Sequence, residues 1–328
     1  MKCPNIPNQP SSLPWPTGST PLMLAPMQGL TNRALRAHFI EQVRPDVVFT
    51  EFMRVNAAAE VKRLSVVDLR GIAAAEEGVP LVVQLVGHGR EPLVSAAREV
   101  QGAGAAHINL NMGCPYGRMT TGLTGGGMLR KPEELAGIIC PLRDAVRGTF
   151  SVKLRAGYDD PELVLELLPL FEAAGVDFLV LHPRTVVQKY TGCADHTVTD
   201  RVVRETRLPV IANGDIRTAA YGEQVLRETG AAGLMLGRGA IADPLLFHRL
   251  RGNAPAVPGL AEQRTELRRY LQAMLVRYGR LFCGGMQVLA KLKEITSHID
   301  TPELAKPLKE LRRAKTLEAF EAALALLD

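Results

Sequence analysis

Short apolar runs alternate with amphipathic segments along the chain as far as residue 240. Most of the runs are continuous rather than alternating in polarity, which is typical of parallel strands covered by helices. The segments between them, for example 91–102, 132–147 and 160–174, carry apolar residues at helical spacing. The pattern predicts eight strands, at residues 22–27, 47–52, 81–87, 107–113, 150–157, 178–184, 209–215 and 233–240.

Strands that alternate with helices indicate right-handed βαβ units and a parallel sheet. Eight units within residues 21–250 fit a closed (β/α)8 barrel, the TIM barrel, better than an open doubly wound sheet. The predicted fold class is therefore α/β, with this barrel as the catalytic domain.

The pattern changes on both sides of the predicted barrel. Residues 251–258 are rich in proline and glycine and are predicted to be a linker. Beyond it, segments 261–278, 286–298 and 301–328 have helical periodicity and predict a small bundle over 259–328. Lysines and arginines recur along these helices, which fits either a solvated face or a phosphate-binding surface. Residues 1–20 contain five prolines and are predicted to be a flexible N-terminus.

Polar side chains gather at the carboxyl ends of the predicted strands, where TIM barrels carry their active sites. Core packing does not explain them, because buried charges need partners, and a bound ligand can supply these. The residues are Gln84, Asn111, Cys114, Lys153, Arg155, His182, Arg184, Asn213, Asp215 and Arg238.

Glycine-containing turns follow the last two predicted strands. They read Asn213-Gly214-Asp215 and Gly237-Arg238-Gly239. Turns at this position form the usual phosphate site of such barrels, although glycines of this kind can also simply shape tight turns.

A cysteine ends the predicted fourth strand. Pro115 stops the strand after Cys114, and a glycine-rich segment follows at 121–127. Cys114 is therefore a candidate reactive thiol, and the alternative is a buried structural cysteine.

Composition restricts the class of protein. The chain has 328 residues, of which 46% are hydrophobic and 22% are charged, as in ordinary soluble proteins. Its five cysteines indicate neither a disulfide framework nor a zinc site, and the scattered histidines indicate no other metal, so a reduced, cytoplasmic setting is expected. No apolar run is long enough to cross a membrane. A net charge of +5 permits a polyanionic partner without establishing one.

With these residues laid out, the chain resembles the tRNA-dihydrouridine synthases. The resemblance covers residues 20–250 well and the tail more loosely, and it departs from the family pattern at His196, where tryptophan is common. It rests on eight motifs in the family's order: 24–31 (LAPMQGLT), 50–52 (TEF), 84–85 (QL), 111–115 (NMGCP), 152–157 (VKLRAG), 182–185 (HPRT), 213–216 (NGDI) and 237–240 (GRGA).

The resemblance implies an enzyme that binds FMN, uses NADPH and reduces the C5–C6 double bond of a uridine in tRNA. Its helical tail would grip the tRNA, and the implied protein is a monomer without an obligate protein partner. The implied FMN ligands are Pro26, Met27, Gln28, Gln84, Lys153, His182, Asn213, Gly214, Asp215, Gly237 and Arg238.

The same resemblance implies roles around the substrate. Cys114 would be the catalytic acid that protonates C5, since a thiol is protonated at neutral pH and gives up its proton readily. Asn111, Arg155 and Tyr190 would surround the uracil, which must leave its stack to react. Arg54, Lys291 and Lys293 would contact the tRNA and resemble the bacterial C-type branch, which acts on uridine 16.

Two other functions remain open from the sequence. One is a dihydroorotate- or dihydropyrimidine-type dehydrogenase that binds FMN and acts on a free base. The other is an RNA-binding barrel without catalytic activity.

Overall fold

The computed structural model of the protein describes residues 12–58, 64–73, 78–116 and 123–327. Its sheet is entirely parallel. The strands are β1 Leu22–Leu24, β2 Val47–Phe49, β3 Met53–Arg54, β4 Leu81–Val86, β5 His107–Met112, β6 Thr149–Arg155, β7 Phe178–His182, β8 Val210–Asn213 and β9 Gly233–Leu236.

The sheet closes into the predicted barrel. Met23 in β1 pairs with Val47 in β2 on one side and with Met235 in β9 on the other. Strand β2 also pairs with β4, which closes a ring of eight strands. Strand β3 resumes the strand that β2 begins and is not counted as a separate member of the ring. The TIM-barrel prediction is confirmed, and the carboxyl ends of all eight strands meet at one rim.

The predicted strand 47–52 is wrong in its second half. It breaks after Phe49 and resumes as β3, because the chain inserts one extra residue: Phe49 pairs with Val82, whereas Met53 pairs with Leu85. A β-bulge of this kind bends the strand and redirects its side chains. The sequence Thr-Glu-Phe favours a strand, so nothing local signals the bulge.

The helices lie outside the barrel and in the tail. Helices expected over 91–102 and 160–174 are confirmed, while the one expected over 132–147 starts with a 3-10 turn at Pro132–Glu134. The α-helices are α1 Arg33–Val43, α2 Val66–Ala73, α3 Arg90–Gly102, α4 Ala136–Ala145, α5 Leu163–Ala174, α6 His196–Glu205, α7 Ala219–Thr229, α8 Arg238–Ala242, α9 Leu246–Leu250, α10 Leu260–Leu281, α11 Gly285–Ser297, α12 Ala305–Arg313 and α13 Leu317–Leu324.

The predicted helical segment 301–328 is divided. Helix α12 ends at Arg313, and Thr316 caps α13 by accepting a hydrogen bond from the N–H of Ala319. A threonine at this position satisfies an N–H that the helix itself cannot, which favours a new helix start over continuation. Within the described residues, no helix combines the length and the apolar character that a membrane span requires.

The segment expected to be a flexible N-terminus is packed where the structure describes it. Trp15 is only 8% exposed and meets Phe178 edge to face, with ring centroids 4.9 Å apart. It belongs to an apolar cluster inside the barrel with Val47 and Val82, at the amino ends of their strands. The hydroxyl of Thr149 donates to the Ser12 carbonyl at 3.0 Å. Residues 12–15 therefore close the barrel mouth opposite the rim, while 1–11 lie outside the described residues.

The helical tail and the barrel share one apolar core. Leu35 and Phe39 of α1 and Phe247 of α9 pack in the same cluster as Leu271 and Met274 of α10. The tail is therefore fixed against the barrel by buried side chains and not only joined to it by the 251–258 segment. Elsewhere, Cys140 on α4 is disulfide-bonded, which the cysteine spacing did not indicate.

Candidate active site

A deep cleft opens at the carboxyl rim of the barrel. Its inner part, above the ends of β8 and β9, has a cavity volume of about 80 Å³, and its outer part, of about 690 Å³, extends to the tail. Most of the side chains predicted for the site line it: Pro26, Met27, Gln28, Asn111, Cys114, Lys153, Arg155, His182, Tyr190, Asn213, Gly214, Asp215, Gly237 and Arg238.

The inner part has the features of an anion site. Among the described residues, the N–H groups of Gly214, Asp215 and Gly237 donate to no acceptor. Gly214 has a φ of +131°, and a Cβ there would lie 2.8 Å from that of Ala194 and 3.0 Å from the His182 ring. The position therefore requires glycine. Backbone N–H groups that converge on an open cavity are suited to bind phosphate oxygens.

A buried ion pair supports this turn. Arg184, whose side chain is 2% exposed, donates to both carboxylate oxygens of Asp215, at 3.0 and 2.6 Å. Arg238 donates to the same carboxylate at 3.0 Å. Although burial opposes ionisation, the bonds from Arg184 hold the pKa of Asp215 below its ordinary value. The carboxylate of Asp215 thus orients the side chain of Arg238. Only the backbone N–H of Asp215 is available to bind an anion.

His196 holds the other side of the turn. Its Nε2 lies 3.1 Å from the Gly214 carbonyl oxygen, and its Nδ1 lies 3.2 Å from the Thr199 hydroxyl. Burial lowers the pKa of His196, so the neutral ring donates from Nε2 and accepts at Nδ1. The residue that departs from the family pattern therefore fixes the same turn, a role that the sequence did not reveal.

Lys153 and His182 lie at the bottom of the cleft. The amine of Lys153 donates to Asn213 Oδ1 at 3.0 Å, and no carboxylate among the described residues pairs with it. Burial, with the nearby Arg155 cation, lowers the pKa of Lys153 to about 8. Burial among the cations Arg155 and Lys153 also holds the pKa of His182 well below its ordinary value. A neutral His182 accepts from Arg184 at Nε2, 3.2 Å away, which leaves Nδ1–H as its donor.

A chain of amides orients the candidate thiol. Gln84 is fully buried and donates to Asn109 at 2.8 Å, while Asn111 donates to Gln84, also at 2.8 Å. The Oδ1 of Asn111 accepts from the N–H groups of Gly113 and Cys114, both at 3.0 Å. Gln84 was predicted to touch the cofactor, but the structure places it beneath Asn111 and outside the lining of the cleft.

Arg155 fixes the segment that carries Cys114. It is 1% exposed and donates to the carbonyl oxygens of Gly113, Thr185 and Lys189 at 2.8, 2.9 and 2.6 Å. These bonds occupy most of its donors, so it positions the thiol loop at least as much as it faces the cleft. Of the glycine-rich stretch predicted at 121–127, residues 121–122 lie outside the described residues. Downstream, the N–H of Gly126 donates to the Cys114 carbonyl at 3.1 Å.

The loop of Pro26, Met27 and Gln28 ends in a clamp between barrel and tail. The bulge aims Glu51 at Gly29, and the carboxylate accepts from the Gly29 N–H. Lys291 in α11 donates to the Gly29 carbonyl and to Glu294, the latter at 2.8 Å. Burial raises the pKa of Glu51, although the hydrogen bond from the Gly29 N–H opposes this shift. Lys291 therefore joins the tail to the end of the flavin-binding loop predicted at 26–28.

The remaining predicted tRNA contacts are exposed or partly exposed. Lys293 in α11 has no ion pair within the described residues, and Arg54 in β3 is exposed. Tyr190 is 42% exposed, with the Arg238 guanidinium 4.4 Å from its ring centroid. Their contacts with tRNA stay predictions. The sequence missed several residues at the mouth of the cleft, namely Tyr116, Arg217, Glu294, His298, Asp300 and Arg312.

Lys291→Ala and Lys293→Ala form a matched pair two residues apart on α11. We expect Lys291→Ala to lower the free energy of unfolding by about 1–2 kcal/mol, because it removes charge-assisted bonds to Gly29 and Glu294. Lys293→Ala should change stability by less than about 0.5 kcal/mol but reduce the log–log salt slope of tRNA binding by about 0.9. Urea unfolding and binding titrations check this; equal stability of the two variants would contradict the clamp.

Fold and site together define a (β/α)8-barrel enzyme, with an anion-binding turn after its last two strands and a thiol at the same rim. The chain belongs to the dihydrouridine synthase family, whose sequence profile, "Dihydrouridine synthase (Dus)", matches residues 23–324. It is 35% identical over 268 residues to a protein of Rhodobacter capsulatus described as a probable tRNA-dihydrouridine synthase, covering 79% of this chain and 81% of that relative.

Two other relatives carry more specific names. A tRNA-dihydrouridine(16) synthase of Cupriavidus necator is 32% identical, over 78% of this chain and 82% of the relative. A tRNA-dihydrouridine synthase B of Xanthomonas axonopodis pv. citri is 30% identical, over 79% of each.

Solved structures resemble the fold at low sequence identity. Morphinone reductase in complex with tetrahydroNAD superposes with a TM-score of 0.52 at 15% identity, over 74% of this chain and 89% of that one. A 2-naphthoyl-CoA reductase superposes with a TM-score of 0.56 at 13% identity, over 71% of this chain and 50% of that one.

Proposed function

We propose that the protein is an FMN-dependent tRNA-dihydrouridine synthase that reduces the C5–C6 double bond of a D-loop uridine with NADPH. The observation that carries the proposal is one cleft in which an anion-binding turn, a partly buried lysine and a free thiol face the same space. We further propose that it works as a cytoplasmic monomer.

The residues of the inner cleft fit a flavin mononucleotide. The open N–H groups of Gly214, Asp215 and Gly237 and the guanidinium of Arg238 suit its phosphate. Lys153 is a partly buried cation that pairs with no carboxylate among the described residues, so it suits an electron-rich ring edge, and His182 adds a neutral donor at Nδ1. When bound, FMN supplies the hydride acceptor and donor that links NADPH to the uracil.

The chain's own groups then have separate tasks. Lys153 supplies positive charge against the ring edge where negative charge develops, which is a preorganised electrostatic contribution. Asn111 and Arg155 fix the backbone around Cys114, so the thiol is held facing the cleft before the substrate binds. Cys114 holds the proton that the uracil must receive at C5.

The titration of Lys153 predicts a pH dependence of FMN affinity. Its pKa near 8 in the free protein rises when an anion binds, because the anion favours the charged amine. Affinity should therefore be constant up to about pH 8 and then fall by at most about tenfold per pH unit. Fluorescence titrations between pH 7.5 and 9.5 measure this. Lys153→Met should bind more weakly at pH 7.5 and lose the slope; a slope that persists in the variant would assign it to another group.

The tail supports a polynucleotide rather than a free base as substrate. One wall of the outer cleft comes from the end of α11 and from Arg312 of α12, which a free pyrimidine on the flavin has no need to reach. Cationic Arg217 and Arg238 line the same cleft. We propose uridine 16 as the target, the position named for the C. necator relative, although the X. axonopodis relative carries the name of another branch.

Mapping of dihydrouridine in tRNA tests the function directly. Cells that lack the protein should lose dihydrouridine at one D-loop position, and the purified yellow holoenzyme should restore it with NADPH. Affinity for tRNA should fall steeply with salt, whereas a free-base dehydrogenase would respond little. An unchanged tRNA map would refute the proposal, and a colourless protein that refuses FMN would favour a non-catalytic RNA-binding barrel.

A further inference from the structure

An exposed aromatic stack lies at the rim of the cleft beside the thiol. Tyr116 stacks on Tyr190 with ring centroids 6.0 Å apart and planes inclined by 29°. The amine of Lys189 lies 5.8 Å from the Tyr116 centroid. We call Tyr116, Tyr190 and Lys189 the rim platform.

Tyr116 is not held there by burial. It is 51% exposed, and its hydroxyl has no hydrogen-bond partner within the described residues. The ring nevertheless lines the outer cleft together with Cys114. Because Tyr116 and Tyr190 are both exposed and stack on each other, they form a contiguous aromatic patch beside Cys114, and such patches mark binding sites more readily than single exposed residues do.

We infer that Tyr116 stacks on the nucleobase next to the uridine that enters the cleft. This inference rests on the proposed function and names a subsite of it. Tyr116 is two residues from Cys114, so their Cα atoms are at most about 7 Å apart. The ring is therefore within reach of a nucleotide adjacent to the one at the thiol.

The energetics of extrusion explain why a ring is useful at this place. When a base leaves its stack, its neighbour loses a stacked face, and the strand loses that interaction energy. An aromatic side chain can replace the lost face, as in proteins that bind single-stranded nucleic acid. Lys189 adds a cation close to the same strand, where it meets the negative phosphates.

The ring of a nicotinamide dinucleotide is the competing occupant, since it also has a π-face. The position of Tyr116 favours tRNA. The nicotinamide must meet the flavin at the bottom of the cleft, near Lys153 and His182, whereas Tyr116 lies on the segment of the thiol that protonates the uracil.

Two substitutions of the holoenzyme test the subsite at one fixed salt concentration. Tyr116→Leu keeps apolar bulk without a π-face and should weaken tRNA binding by about 5- to 150-fold. Tyr116→Phe keeps the ring and should bind within about twofold of the wild type. Flavin content, the rate of flavin reduction by NADPH and the salt slope should not change, because no phosphate contact is lost.

The other outcomes each overturn the inference. Wild-type affinity in Tyr116→Leu removes the stacking contact, and an equal loss in Tyr116→Phe assigns the contact to the hydroxyl. Slower flavin reduction with unchanged tRNA affinity assigns the ring to the dinucleotide. If Tyr116→Leu does not fold, Tyr116→Trp combined with Trp15→Phe provides the test, because the single tryptophan at position 116 should lose emission when tRNA binds and an unquenched emission refutes stacking. A wild-type protein that fails to bind tRNA instead refutes the proposed function itself.

Discussion

Cys114→Ala is expected to slow the reduction of tRNA by about 10²- to 10⁴-fold, which is the usual contribution of a positioned general acid. Alanine keeps the backbone bonds from Gly113 and residue 114 to Asn111, so the loop should remain in place. Reduction of the flavin by NADPH requires no proton from the thiol and should stay normal. Anaerobic stopped-flow measurement of flavin reoxidation by tRNA separates the two half-reactions.

Cys283→Ala is the matched control, because Cys283 is a free and exposed thiol in the tail. It should react like the wild type in both half-reactions. Cys114→Ala should still bind tRNA, and this result would show that the variant is impaired in the chemical step and not in substrate binding. Reoxidation of Cys114→Ala within about threefold of the wild type would transfer the acid role to another group.

Trp15→Ala is expected to lower the free energy of unfolding by about 3–5 kcal/mol, the usual range for removing a buried tryptophan. The ring fills the barrel mouth opposite the cleft and packs on Phe178, so its loss leaves a cavity among the strands. Urea unfolding followed by circular dichroism measures the change. Flavin binding at 25 °C should be unaffected, since the cleft is at the other end of the barrel.

Trp15→Phe is the control for this position, because it keeps an aromatic ring against Phe178 and should be less destabilising than Trp15→Ala. The protein contains one tryptophan, so wild-type emission reports on this mouth of the barrel alone. The emission and circular dichroism transitions of the wild type should coincide. If Trp15→Ala changes the free energy of unfolding by less than about 0.5 kcal/mol, the packing of residues 12–15 against the barrel contributes little to stability.

The sequence was informative where structure depends on local pattern. Continuous apolar runs predicted the eight-stranded barrel, because buried parallel strands need apolar residues on both faces. Polar residues at the ends of these runs predicted the cleft, since the carboxyl ends of all strands meet at one rim. Lys153, His182 and Asp215 were found in this way, from their positions within single strands.

Features that depend on distant partners could not be read from the sequence. Lys291 meets Gly29 across 262 residues, and Ser12 meets Thr149 across 137. The proline-rich start was therefore predicted to be flexible, and Lys291 was predicted to contact tRNA rather than Gly29. The family resemblance implied that Gln84 binds the cofactor, whereas the structure shows its amide bonded to Asn109 and Asn111.

The shared core of barrel and tail has a mechanical consequence. Side chains of α1 and α9 interlock with those of α10, so the wall contributed by the tail cannot swing toward the flavin as a separate lobe. Closure around the substrate by hinge motion is thus disfavoured. The tRNA rather than the protein must therefore change its conformation. The free energy that opening the D-loop costs must be offset by contacts with a protein surface that does not rearrange.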